Sequence, residues 1–208
     1  MGQIPTREAP LVVDEKEREV RVYAEIYPRR FNAAGDAEAH YHLLVWKGGT
    51  SKGALMETLA DDLAFYEAIV EMGGKPGDNL SMTAWTGRHD SHSSAPQQRV
   101  EGSAIAVWLS WEGNPKGIPI HEAFQDKDTQ DLSWRFGGNR QRWFNLIPLA
   151  QRPGCLACLY SCPSGKIGNH AFTVRDYVDE PARFVANLAV LPPDGTPVVV
   201  TFRLAPSP

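Results

Sequence analysis

Glu19-Val20-Arg21-Val22-Tyr23-Ala24-Glu25-Ile26-Tyr27 places apolar Val20, Val22, Ala24 and Ile26 at every second position, between mostly polar neighbours. A period of two puts those four side chains on one face of a β-strand, so one face of this segment is expected to be buried. Upstream, residues 15–18 are a charged, solvated stretch and residues 1–10 a flexible lead-in. Downstream, further strands are expected at 40–46, ended by Gly48-Gly49, and at 54–59. Asp61 and Asp62 then offer N-caps to a helix over 63–72, which Gly73-Gly74 and Pro76 terminate. Leu63, Tyr66, Ile69 and Val70 share its expected core face.

Periodicity fails from 81 to 98 and returns at 100–111, then more weakly at 118–124, 132–136 and 143–147. The last part predicts a strand at 171–174, a short helix near 180–188 and a final strand at 197–204 after the turn Pro192-Pro193-Asp194-Gly195. Many short strands and few helices imply a single α+β domain over 11–208, with a mainly antiparallel sheet and one or two helices.

The chain has 208 residues, 42% of them hydrophobic and 22% charged, which excludes a wholly disordered chain. Twenty-one Lys and Arg against 25 Asp and Glu give a net charge of -4, so nucleic acid and anionic membrane surfaces are not expected partners. The longest apolar runs, 102–111 and 184–193, are half the length of about twenty residues that a bilayer span needs, so no membrane span is expected. Residues 1–10 lack the pattern of a signal peptide. The expected compartment is periplasmic if a leader has been removed, and cytoplasmic otherwise.

All three cysteines fall in Gly154-Cys155-Leu156-Ala157-Cys158-Leu159-Tyr160-Ser161-Cys162-Pro163-Ser164-Gly165. The pattern C-x2-C-x3-C-P brings three soft ligands to one short piece of chain, and its tail is like that of the bacterial ferredoxin run, one cysteine short. Three thiolates need a fourth ligand, and His170 lies eight residues past Cys162 on a Gly-containing segment. Cys155, Cys158, Cys162 and His170 together would suit an iron–sulfur cluster or zinc. Two alternatives stay open: a disulfide in a non-catalytic exported binding module, or a thiol redox protein with one cysteine of lowered pKa near Lys166 or Arg152.

Several segments resemble the YdjY-like family of small bacterial proteins, described as ferredoxin-like and often exported. They are Pro10-Leu11-Val12-Val13-Asp14, Met72-Gly73-Gly74-Lys75-Pro76-Gly77, Leu132-Ser133-Trp134-Arg135-Phe136-Gly137-Gly138, the cysteine segment through Gly168-Asn169-His170, and Leu191-Pro192-Pro193-Asp194-Gly195-Thr196-Pro197-Val198. The resemblance implies an α+β domain and an iron–sulfur site. Where the family often carries a His-Glu pair, this chain has Met56-Glu57. The combined expectation is an iron–sulfur electron-transfer protein with a redox partner protein, more a carrier or binding protein than an enzyme, and with no catalytic residue assigned.

His40 and His42, two apart on one expected strand face, are a weaker ligand pair, read first as an exposed polar face. His89-Asp90-Ser91-His92 and His121-Glu122 offer imidazole and carboxylate groups without a visible partner set. There is no P-loop, no G-x-G-x-x-G after a strand and no H-E-x-x-H helix. The six Trp and six Tyr are read as core and rim residues.

Overall fold

In the computed structural model, which describes residues 3–34, 40–125, 132–139, 152–179 and 184–205, the alternating segment forms β2 (Glu19–Ile26). Val20, Val22, Ala24 and Ile26 are each fully buried. The closing strand β10 (Thr196–Leu204) runs antiparallel beside it, setting Val198 against Ala24, Val200 against Val22 and Phe202 against Val20. On its far side lies β5 (Ala104–Trp111), where Leu109, Val107 and Ile105 oppose Val200, Phe202 and Leu204. Matched alternation on three neighbouring strands therefore builds one continuous apolar face. Each fully buried large aliphatic side chain contributes about 1.5–3 kcal/mol.

The remaining strands are β1 (Leu11–Asp14), β3 (His42–Trp46), β4 (Met56–Thr58), β6 (Asn114–Pro119), β7 (Trp134–Phe136), β8 (Cys155–Cys158) and β9 (Ile167–Asn169). Hydrogen-bonded neighbours run β2, β10, β5, β7, β9, β8, β3, β4, and β4 pairs again with β2. The sheet thus closes into an eight-stranded barrel, with β1 and β6 attached to it. One edge of β2 carries β1 along Glu19–Val22 and β4 along Ala24–Ile26, so that a single strand joins the ring and supports a flap. Closing the ring removes exposed edges, and a barrel of eight strands has an interior just wide enough for side chains to fill.

This overturns the expected α+β domain with a mainly antiparallel sheet and one or two helices, and lends no support to the ferredoxin-like description of the family. The structure is mostly sheet, with small helices, and β3–β4 and β8–β9 are parallel pairs. The closure was hidden because β4, β7 and β9 have three residues each, too few to display a period. In addition, β8 coincides with the cysteine segment, for which no strand was expected.

The longest helix, α2 (Asp62–Glu71), follows α1 (Pro28–Ala33) and precedes the short α3 (Thr83–Thr86) and α4 (Val174–Asp179). Asp61 caps α2 by accepting from the Leu63 and Ala64 amides at 2.8 and 3.2 Å. Its buried face is rotated from the expected one, comprising Asp62, Phe65, Ala68 and Ile69, while Val70 is exposed. The strand expected at 171–174 is instead turn leading into α4, and residues 184–188 are not helical. The strand expected at 143–147, and residues 180–183 of the expected helix, lie outside the described residues.

Candidate metal centre

All four residues of β8 are buried, so both faces of this strand are covered. In a regular strand Cys155 and Cys158, three positions apart, would point to opposite faces. The pairing of β8 with β3 is irregular: His42 opposes Cys158, Leu44 opposes Ala157 and Val45 opposes Cys155, with a register shift at each step. Such bulges re-aim side chains locally. As a result both sulfurs approach one imidazole, with His42 Nδ1 3.6 Å from Cys155 Sγ and 3.5 Å from Cys158 Sγ.

The third cysteine arrives by a different route. Because β8 and β9 are parallel, the chain between them must turn back over itself, and residues 159–166 make that return. The loop is pinned by Lys166 N donating to Cys155 O at 3.2 Å, and by Asn139 Nδ2 donating to Cys162 O at 3.1 Å. Gly165 packs so closely that a Cβ there would stand 3.0 Å from Cys158 Sγ. Cys162 Sγ lies 3.1 Å from Ser164 Oγ, and that hydroxyl is 3.7 Å from Cys155 Sγ. From the other side, the segment after β3 pairs with 152–154 through Thr50 N to Arg152 O and Ser51 N to Pro153 O, which sets Ser51 Oγ 3.1 Å from Cys155 Sγ.

Three buried thiols in mutual contact cannot titrate alike. The Cys158 and Cys162 thiols, then the Ser51 and Ser164 hydroxyls, hold Cys155 well below the ordinary thiol range, against the opposing effect of its burial. Burial pushes Cys158 well above that range and raises Cys162. Cys155 is therefore the thiol of the set that ionises most readily, its anionic form favoured by the hydrogen bonds of its neighbours.

His42, Cys155 and Cys158 offer ligand atoms that all lie within 4.8 Å of one another, and all three residues are buried. Soft sulfur and imidazole donors at this spacing can hold a metal ion. Cys162 borders this group. His170 does not join it: its Nδ1 lies 2.7 Å from the Val100 carbonyl oxygen, and its backbone N–H donates to Ser133 O. The imidazole beside the thiols is His42, which the sequence pattern offered only as half of a His40 and His42 pair. The expected exposed histidine face is absent, since both are buried and His40 Nδ1 meets Phe184 O at 2.6 Å. All three cysteines are free thiols, without the disulfide of the alternative reading. His89 and His92 sit in an exposed turn, and His121 and Glu122 in a short 3-10 helix.

A cavity of about 180 Å³ opens beside the cluster, lined by Tyr41, His42, Ser51, Trp85, Cys162 and Ser164 among others. Tyr41 is 2% exposed, and its hydroxyl faces Cys162 without a well-aligned hydrogen-bond partner. Leaving a buried donor unpaired costs about 1–3 kcal/mol. Behind the cysteine loop lies a buried ionic cluster: Asp62 meets Lys166 Nζ at 3.0 Å and Arg152 Nη1 at 3.3 Å, and Arg152 also reaches Asp61. A larger groove of about 720 Å³ includes Tyr23, Trp108 and Trp111; among the described residues it shares no lining residue with the cysteine cavity and has no cluster of ligand atoms.

The fold and the site together define a closed β-barrel protein with a metal-competent cluster of thiols and one imidazole built into its wall. The chain belongs to the YdjY domain family, whose pattern matches residues 11–203. It is 33% identical over 166 residues to Uncharacterized protein YdjY of Escherichia coli (strain K12), covering 79% of this chain and 67% of that protein. No solved structure matches the chain. Among the described residues, no helix is long and apolar enough to cross a membrane.

Proposed function

We propose that the protein holds a single metal ion through His42, Cys155 and Cys158, with the Cys162 thiol beside the site. One observation carries this reading. For one tetrahedral ion with a metal–sulfur bond of about 2.3 Å and a metal–nitrogen bond of about 2.0–2.1 Å, the sulfur-to-nitrogen edge is about 3.6 Å. The two edges from His42 Nδ1 are 3.5 and 3.6 Å. Zinc suits this donor set, as does a single iron. The half-buried hydroxyls of Ser51 and Ser164 on the sulfurs are the kind of outer partners that tune such a centre.

The iron–sulfur electron-transfer reading draws support from the C-x2-C-x3-C-P pattern. Donors already at hydrogen-bonding distance from one another favour a single ion over a cluster, whose irons are each held by separate ligands. Elemental analysis of anaerobically purified protein, with acid-labile sulfide, separates the readings. The expected result is one metal per chain without sulfide, lost in Cys155→Ser and in Cys158→Ser. Inorganic sulfide with several irons would establish the cluster instead, and protein that takes up no metal after incubation with zinc or ferrous iron would overturn both.

A further inference from the structure

Of the groups lining the cavity beside the cluster, two observations set Tyr41 apart. It is almost wholly buried, and its hydroxyl, which faces Cys162, has no well-aligned hydrogen-bond partner. The ring is fixed, stacked on Tyr160 at 5.3 Å and met edge-on by Trp85 at 5.1 Å and Tyr177 at 4.7 Å, so the hydroxyl cannot swing away to find water elsewhere. A buried donor that is rigidly held and without a well-aligned partner, at the wall of a cavity, points to a ligand that supplies the missing acceptor.

The cavity also says what kind of molecule fits. At about 180 Å³ it is close in size to an engineered apolar cavity of about 150 Å³ that admits benzene. Met82, Trp85 and Pro163 give it apolar wall, and among the described residues no Lys or Arg lines it. With no cationic side chain in that described lining to pair with it, an anion would enter without a partner. The cluster is divided relative to this space: His42 and Cys162 line it, whereas Cys155 and Cys158 lie behind. His42, Cys155 and Cys158 would supply three donors to an ion, and His42 stands at the cavity wall; a zinc site that handles substrate keeps one position open for it.

We infer that this cavity binds a small neutral molecule, no larger than a single six-membered ring and bearing one acceptor nitrogen or oxygen, whose acceptor end takes the Tyr41 hydroxyl and faces the metal. The inference rests on the metal reading above, and its test keeps the two apart. Protein loaded with Co(II) is titrated with pyridine, with benzene as the probe lacking an acceptor and benzoate as the charged one, while visible absorption reports on the ion. Calorimetry on metal-free protein follows the cavity alone.

Pyridine should shift the cobalt spectrum saturably. It should bind about tenfold more weakly to Tyr41→Phe, the worth of one hydrogen bond, with cobalt content unchanged. If no cobalt loads, the metal reading fails, and the cavity still predicts calorimetric binding of pyridine that Tyr41→Phe weakens. Equal affinity in wild type and Tyr41→Phe, binding of benzene or benzoate as tight as that of pyridine, or no saturable binding in either experiment would overturn the inference.

Discussion

The imidazole of His42 and the thiol of Cys158, 116 residues apart in the chain, stand 3.5 Å apart across the irregular pairing of β3 and β8. His170, only eight residues past Cys162, turns its ring to the Val100 carbonyl at 2.7 Å instead. Nearness in sequence and nearness in space thus point to different histidines. His42→Ala is expected to abolish stoichiometric metal binding in equilibrium dialysis. His170→Ala should retain it while losing about 1 kcal/mol of stability, the worth of one hydrogen bond. Metal retained by His42→Ala and lost by His170→Ala would reverse the assignment.

Asp62 fills an unusual place for the first residue of a helix. Rather than capping α2, it is buried against Lys166 and Arg152, themselves 5% exposed. Replacing it by Asn leaves two buried cations with only Asp61 opposing them. Breaking a buried ion pair on one side costs about 3–5 kcal/mol. A urea titration of Asp62→Asn should show a loss of that size. Because Lys166 also pins the cysteine loop through its N–H to Cys155 O, metal affinity should fall with it. An unchanged midpoint would mean that the cluster is solvated in solution.

How much of this was legible in the sequence follows from the length over which each feature repeats. β2, β5 and β10 run for eight or nine residues, long enough to show their alternation; β2 and β10 are found within a residue of their bounds, and β5 begins at Ala104 rather than at 100. β4, β7 and β9 have three residues each, so the pairings that close the ring leave no periodic trace. The site divides in the same way. Clustering of Cys155, Cys158 and Cys162 is visible because the loop between β8 and β9 is local, whereas the approach of His42 depends on register shifts in a long-range pairing. Two histidines at alternate strand positions were the one available signal. They could not reveal which of the two faces a thiol.

Closure of the barrel between β5 and β7 depends on Gly102, whose φ is +113°. A Cβ there would lie 2.1 Å from the Phe136 carbonyl oxygen and 2.7 Å from Gly77 N, both backbone atoms that cannot rotate aside. Gly102 also bridges to Pro76, tying the chain after α2 to the start of β5. Gly102→Ala combines a left-handed backbone with a backbone clash and is expected to destabilise by about 2–4 kcal/mol. Thermal unfolding followed by far-UV circular dichroism should report a clearly lowered midpoint. A midpoint equal to that of wild type would show that this corner of the ring yields easily.

Acid and base sensitivity should trace in part to a surface cluster on the barrel. Lys47 Nζ donates to Glu25 Oε2 at 2.5 Å, and Tyr27 Oη donates to the same oxygen at 2.7 Å. The Lys47 bond, then the Tyr27 bond, lowers the Glu25 carboxyl from its ordinary 4.5, and Glu25 in turn raises Lys47 from 10.5. For Glu25 the folded state releases its proton more readily than the unfolded chain, so its contribution is complete above 4.5 and is lost as pH falls through the lower folded value. Lys47 behaves in the opposite sense: its contribution is complete below 10.5 and is lost as pH rises through the higher folded value. Between those limits the pair contributes a constant amount, about 1 kcal/mol for a partly solvated ion pair. Glu25→Gln should therefore be less stable than wild type by that amount at pH 7, and the gap should close as the pH is taken well below 4.5. Urea midpoints for both proteins from pH 3 to pH 8 provide the measurement, and a gap that widens towards acid pH would contradict the pairing.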